Sequence, residues 1–269
     1  MEDGGPGLHL HGIFTILKYV YGLGIADYLP WLEVFDLDGH KTILKNAIKR
    51  VRKYQDPEIE KRVDMWQQGI RKTEEDVLDV LINLKDSNNN PLLSIHEIKA
   101  EIIEIMLAAV DNPSNAVEWA LAEMINQPDI LHGACQELDQ VVGRDRLVDE
   151  SDLSKLNYVK ACVKEAFRLH PMPERHIANE ESVVVLVDHE LRMLSFSTGR
   201  RGCPGIVLGS TMTTLLLARL IQGFSWTAPP NEPSNIDLAE SEGDMVKAIP
   251  LIAHAVPRLE PHVYPKLVL

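Results

Sequence analysis

The run Phe196-Ser-Thr-Gly-Arg-Arg-Gly-Cys-Pro-Gly205 constrains this chain more than any other stretch. Glycines at 199, 202 and 205 surround a single cysteine, Cys203, and the residues from Ile206 to Leu220 are apolar on nearly every side. Glycine lets a backbone bring its amide groups close to a sulfur atom, and a helix starting near Gly205 points its positive end at the same atom. Both effects stabilise a thiolate, the form of cysteine that binds metals. The bland alternative is a structural cysteine in a glycine turn before a buried helix.

The rest of the sequence predicts a mainly α fold with minor β. Its 269 residues are 45% hydrophobic and 25% charged, ordinary values for a globular protein with a sizeable core. Apolar residues recur every three or four positions from Gly39 to Val51 and from Glu58 to Ile70, predicting two amphipathic helices split at Asp56-Pro57. Thr73 and Asp76 read as the capping box of a third, Thr73 to Leu84, with Val77, Leu78, Val80 and Leu81 as its buried stripe; the turn Asp86 to Pro91 stops it. Ser94 and Glu97 open the longest helix, which buries Ile95, Ile98, Ile102, Ile105, Met106 and Ala109. Continued through Trp119, Ala122 and Ile125, it holds Pro113 inside, where the lost backbone hydrogen bond kinks or opens it.

Gln127-Pro128 ends that segment, a further helix runs from about Asp129 to Val142 with Gly143 at its C-cap, and another spans Val159 to His170, stopped by Pro171. Val183 to Val187 is the best strand candidate, Leu191 to Phe196 a second, and Val246 to Val256 a small ribbon. No Gly/Ser- or Pro-rich linker divides the chain between Asp27 and Gly223, so one domain is expected over 1–269. Its parts are a helical region at about 39–170, the cysteine loop and a deeply buried helix at about 195–222, and an irregular or β tail at about 228–269.

A formal charge of −13 excludes an electrostatic footprint for nucleic acid. The basic run Lys45-Asn-Ala-Ile-Lys49-Arg50-Val-Arg52-Lys53 reads as a solvated helix face rather than a phosphate-binding patch. Three widely spaced cysteines without a CxxC pair fit a reducing compartment. The first residues lack the basic region of a signal peptide, and His11, Lys18 and Asp27 break the apolar stretch from Leu8, so no membrane anchor is expected. His9 with His11, Asp36-Leu-Asp38-Gly39 and Gly22-Leu-Gly24 are too incomplete for metal, calcium or dinucleotide sites.

The cysteine run fits Phe-x-x-Gly-x-Arg-x-Cys-x-Gly, five fixed positions that chance would match in such a chain about once in ten thousand. That rarity weighs against the bland reading. The run resembles the ligand loop of heme-thiolate monooxygenases, the cytochrome P-450 superfamily. The resemblance implies heme held through Cys203, with Arg201 paired to a heme propionate and Phe196 and Gly205 beside the cysteine. A thiolate ligand donates electron density to iron and favours splitting of the dioxygen O–O bond. Glu165 and Arg168, three apart on one helix face, then Leu-His-Pro171 and Pro173-Glu-Arg175-His, follow the order of the superfamily. By that resemblance Glu165, Arg168 and Arg175 are a structural triad locking the ligand loop, and none is a catalyst. From the residues alone, Glu165 and Arg168 are equally an exposed helix ion pair.

Ala108-Ala-Val-Asp111-Asn-Pro-Ser-Asn115 stands where most members carry an acid followed by threonine. With Pro-Glu-Arg-His and Ser-Phe-Ser-Thr-Gly-Arg-Arg-Gly-Cys, it resembles the plant amino-acid N-monooxygenases, which hydroxylate an α-amine twice and release an aldoxime en route to cyanogenic glucosides or glucosinolates. The resemblance implies that Asp111 relays protons toward bound dioxygen, and that Asn112 and Ser114 hold water in the kinked helix. It also implies electrons from NADPH through a separate flavoprotein reductase, at the cytosolic face of the endoplasmic reticulum. From the residues alone, Asp111 equally caps the helix segment restarting after Pro113. The likeness is to the C-terminal part of the fold, with anchor and early helices expected to be missing. Only Met172 stands between His170-Pro171 and Pro173-Glu174, where the superfamily runs through several strands. Two readings stay open: a monooxygenase of amino acids impaired by truncation, and a non-catalytic remnant that does not bind heme productively.

Overall fold

The computed structural model describes residues 6–20, 22–171, 195, 196, 200, 202–229, 235–241 and 246–265. In chain order the elements are α1 (Pro6–Val20), α2 (Ile25–Tyr28), a 3-10 turn (Pro30–Phe35), α3 (His40–Gln67), α4 (Val77–Asn83), α5 (Ile95–Asn126) and α6 (Pro128–Val141). A second 3-10 turn (Glu150–Lys155), α7 (Asn157–Leu169), α8 (Ile206–Gly223), β1 (Phe224–Thr227), β2 (His254–Pro257) and a last 3-10 turn (Pro261–Val263) complete them. They gather into two compact units, Met1–Ala108 and Ala109–Leu269. A search for linkers cannot see this division, because it falls inside the continuous helix α5.

In the first unit α1 lies against α3, burying Ile13, Ile16, Ala47 and Val51, with Ile103, Met106 and Leu107 packed around them. One helix stands where two were expected. α3 passes through Pro57, and its buried residues Ala47, Val51, Gln55 and Ile59 recur every four positions on both sides of it. That unbroken stripe offsets a proline penalty of about 3 kcal/mol, since each fully buried aliphatic side chain contributes about 1.5–3 kcal/mol. The carboxylates of Asp36 and Asp38 accept N–H groups at the start of α3: Asp36 takes those of Lys41 and Thr42, and Asp38 takes that of His40. Asp38 also takes the N–H of Ile25.

The third helix is shorter than expected, because Asp76 is its N-cap and accepts the Asp79 N–H at 3.0 Å. Its innermost residue is Asp79; of the expected stripe, Val77 and Val80 are exposed while Leu78 and Leu81 are half-buried. Donors from Arg62, Trp66 and Arg71, invisible to periodicity, hold the carboxylate inside. The turn at Asp86 forms as expected, with its carboxylate accepting the N–H groups of Asn88 and Asn90. Ser94 and Glu97 make the expected capping box at the start of α5.

The second unit packs α6, α7 and α8 around Leu138, Val159, Val163, Leu217 and Ile221, with Ala116, Ala120 and Met124 from α5 in the same core. α6 closes as expected, Gly143 at φ +84 donating to the Leu138 carbonyl. Buried Gln222 accepts from the Val148 N–H at 2.8 Å and donates to the carbonyls of Gly143 and Arg146. β1 pairs antiparallel with β2, so the small ribbon draws on Phe224–Thr227, which periodicity did not single out. The Val183–Val187 candidate and residues 191–194 lie outside the described residues.

Among the described residues, α8 is the helix long and apolar enough to cross a bilayer by length and composition. Its packing through Leu217, Ala218 and Ile221 is that of a core helix. It is not buried throughout as expected: Ile206, Val207 and Leu208 of its first turn are 44%, 76% and 49% exposed.

Candidate functional site

Cys203 sits three residues ahead of α8 with its side chain exposed. Its N–H donates to the Phe196 carbonyl at 2.8 Å, closing the loop back on its own beginning. That beginning is fastened to α7: the buried Ser195 hydroxyl donates to the Phe167 carbonyl, and the Phe196 ring meets Phe167 edge-on at 5.1 Å between centroids. Ser195 and Phe167 are anchors that motif reading passed over, since neither holds a fixed position in the pattern.

α8 begins with the Gly209 N–H donating to Gly205 at 2.7 Å. Gly205 has φ −87 and ψ 12, a conformation open to any residue, so the backbone does not demand glycine there. A Cβ added to it would lie 3.7 Å from the Cys203 sulfur, in ordinary contact. Longer side chains would crowd the sulfur. The neighbouring Gly209 faces the Phe196 ring, 3.6 Å from where a Cβ would stand.

These residues fit a heme. An exposed thiol suits a metal ligand, and Ile206, Val207 and Leu208 offer apolar surface beside it. Arg201, expected to meet a propionate, lies outside the described residues.

Glu165 and Arg168 are joined on α7 as expected, Nε to Oε2 at 2.9 Å and the second arm to Oε1 at 2.6 Å. Arg168 holds the Glu165 carboxyl below its usual range. Both side chains are about half exposed, at 55% and 44%, so the pair alone contributes at most about 1 kcal/mol. Arg175 lies outside the described residues.

Along α5, Asp111 is half-buried while Asn112 and Ser114 are exposed, and helical structure continues through buried Pro113. The Ser114 hydroxyl donates to the Val110 carbonyl one turn back at 2.8 Å. Asn115 keeps a buried side-chain nitrogen with no hydrogen-bond partner among the described residues, a group that sequence reasoning did not single out. Farther along, Trp119 is stacked on His170 at 3.8 Å, and the His170 Nε2 is 2.9 Å from a Glu123 carboxylate oxygen. Lys247 from the tail lies over the same indole at 4.9 Å, so this cluster ties the end of α7 and the C-terminal tail to α5.

The sequence profile of the cytochrome P-450 family matches residues 13–185 and 172–254. A valine N-monooxygenase of Manihot esculenta is 48% identical, an isoleucine N-monooxygenase of Lotus japonicus 47%, and a tyrosine N-monooxygenase of Sorghum bicolor 46%. Each alignment covers 98% of this chain but 58%, 58% and 56% of the respective relative, so the chain spans less than two thirds of their length. The alignments run over 315 or 316 positions against 269 residues here, so the relatives carry internal positions that this chain lacks. The two profile matches overlap at 172–185, beside the Met172-Pro173 junction where missing strands were expected. Heme is the cofactor of the matched family, and on the profile and these identities the chain belongs to the cytochrome P-450 family.

Proposed function

We propose that this chain is the heme-binding part of an amino-acid N-monooxygenase, which hydroxylates an α-amine twice and yields an aldoxime. The observation that carries the reading is the exposed Cys203 thiol ahead of α8, in a loop tied to Phe196 and α7. Relatives acting on valine, isoleucine and tyrosine support the substrate class and leave the side chain of the amino acid open.

When bound, heme supplies dioxygen activation, with electrons from NADPH through a separate flavoprotein reductase. Cys203 contributes its sulfur as the iron ligand, and the bond from its N–H to Phe196 fixes where that sulfur stands. Arg201 neutralises a propionate, while Glu165, Arg168 and Arg175 hold the loop from behind. With heme bound, the Asp111 carboxyl would supply protons for dioxygen activation and Asn112 and Ser114, its neighbours on α5, would hold water for that transfer, the Ser114 hydroxyl leaving Val110 to do so. The site works at the cytosolic face of the endoplasmic reticulum.

A second reading draws on the exposed first turn of α8 and on the internal positions the relatives carry and this chain lacks. Heme beside Val207 and Leu208 would then stay open to water, and the chain would be a remnant that does not hold it productively. The two separate in one spectrum. The purified chain is mixed with heme, reduced and exposed to carbon monoxide, beside a Cys203→Ser control. A strongly red-shifted Soret band lost in the control supports the monooxygenase, and heme also protects Cys203 from alkylation by iodoacetamide. No heme uptake, or a band indifferent to Cys203, leaves the remnant.

A further inference from the structure

We propose that Ser195 is a positioning residue for the Cys203 sulfur, its hydroxyl standing in for a backbone N–H that Pro171 cannot supply. The inference rests on the reading of Cys203 as the heme ligand. α7 ends at Leu169 with His170 as its C-cap, and the His170 N–H takes the Ala166 carbonyl at 2.9 Å. The next carbonyl in line is that of Phe167. In the simplest helix ending, the residue after the cap donates to that carbonyl. Here that residue is Pro171, which has no N–H to give.

Phe167 is only 5% exposed, and a carbonyl in such surroundings needs a partner from the protein. Among the described residues the donor that reaches it is the Ser195 hydroxyl, on a residue that is itself 8% exposed. A gap in the backbone ladder of one element is thus filled by a side chain from another. The proline that stops α7 is also what frees its carbonyl for the cysteine loop.

This junction leads directly to the sulfur. Ser195 precedes Phe196, whose carbonyl receives the Cys203 N–H at 2.8 Å and whose ring meets Phe167 edge-on at 5.1 Å. Phe167 therefore holds the loop twice, through its carbonyl and through its ring. The ring contact has broad geometric tolerance, whereas a hydrogen bond fixes distance and direction. Without the hydroxyl, Phe196 can slide on Phe167, and the Cys203 amide loses its fixed acceptor. Hydrogen bonding around a ligating sulfur tunes how much electron density it gives to iron, so Ser195 acts on the metal without touching it.

The test uses the full 269-residue chain, first without heme. Residue-resolved amide hydrogen exchange compares the wild type with Ser195→Ala and Ser195→Thr. In Ser195→Ala the Cys203 amide should exchange roughly tenfold faster, while those of Leu217 and Ala218, fully buried on α8, keep the wild-type rate. Ser195→Thr keeps the hydroxyl and should stay within about threefold of wild type at Cys203. Heme is then added, reduced and exposed to carbon monoxide, and Ser195→Ala should give a smaller red-shifted band than the wild type at equal heme. Exchange at Cys203 that is unchanged in Ser195→Ala, or as fast in Ser195→Thr, overturns the proposal. Exchange that rises at Cys203 only in step with Leu217 and Ala218 overturns it too, and makes Ser195 an ordinary helix cap. The exchange comparison needs no heme, so a wild-type chain that takes up none defeats the monooxygenase reading and not this one.

Discussion

Asp79 is a buried carboxylate in a short surface helix, with no accessible side-chain area. Burial pushes its carboxyl up, but the Trp66 indole N–H, the Arg71 guanidinium, the Glu75 N–H and Arg62 outweigh that and hold it far below its usual 3.8. A carboxyl depressed in the folded state stabilises the fold above its unfolded value and loses that contribution as pH falls through the folded value. Asp79→Asn leaves two arginines facing a neutral amide. Discounted because Arg62 and Arg71 keep 25% and 17% of their side chains exposed, the cost is about 2–3 kcal/mol at pH 7. Urea titration of both proteins at pH 7 and pH 3 checks this, with the gap between them smaller at pH 3. An equal gap at both values sinks the assignment. Two thiols follow the same reasoning: burial, then Glu137, pushes Cys162 up to about 11, and burial raises Cys135 as well.

Gln222 does for the loop between α6 and α7 what Asp79 does for α4. Fully buried on α8, it serves the Gly143 and Arg146 carbonyls and the Val148 N–H at once. Gln222→Leu keeps the volume but strands three backbone groups, and should cost about 2–4 kcal/mol. Chemical denaturation measures the loss, and amide hydrogen exchange should place it first at residues 143–148; a change below about 1 kcal/mol counts against it. Apolar spacing made α5, α6 and α7 legible as helices, and the stop signals Pro128, Gly143 and Pro171 stand within two residues beyond their last residues, although of the stripe expected for the first half of α5 only Ile98 is fully buried. It misread Pro57 as a boundary, since the rule for proline is local and the stripe through Val51, Gln55 and Ile59 is not. At the site, the cysteine loop was legible from glycine, arginine and cysteine spacing. Its fastening through Ser195 and Phe167 was not, because that bond joins residues 28 positions apart.

For the whole molecule, charge and exposed apolar surface pull in opposite directions. At pH 7 the formal charge of −13 keeps copies apart, yet Leu23, Tyr28, Trp31, Val34, Phe35 and Leu37 are all 62% to 89% exposed within a short stretch. As pH falls from 7 the net charge shrinks toward zero at the isoelectric point of about 5.2. Repulsion then disappears while the apolar stretch remains, and association should set in between those values. Light scattering during a titration from pH 7 to pH 5 should rise steeply near 5.2, and earlier in high salt, which screens the same repulsion. Trp31→Ser/Val34→Asp removes the two residues that are 71% and 89% exposed and adds a negative charge. Neither side chain supports the core, so the melting temperature should stay within about 2 °C while scattering at the isoelectric point drops severalfold. Scattering that follows charge alone, with the double variant merely shifted along the pH axis to its own lower isoelectric point and undiminished there, would mean that this stretch is not the contact surface.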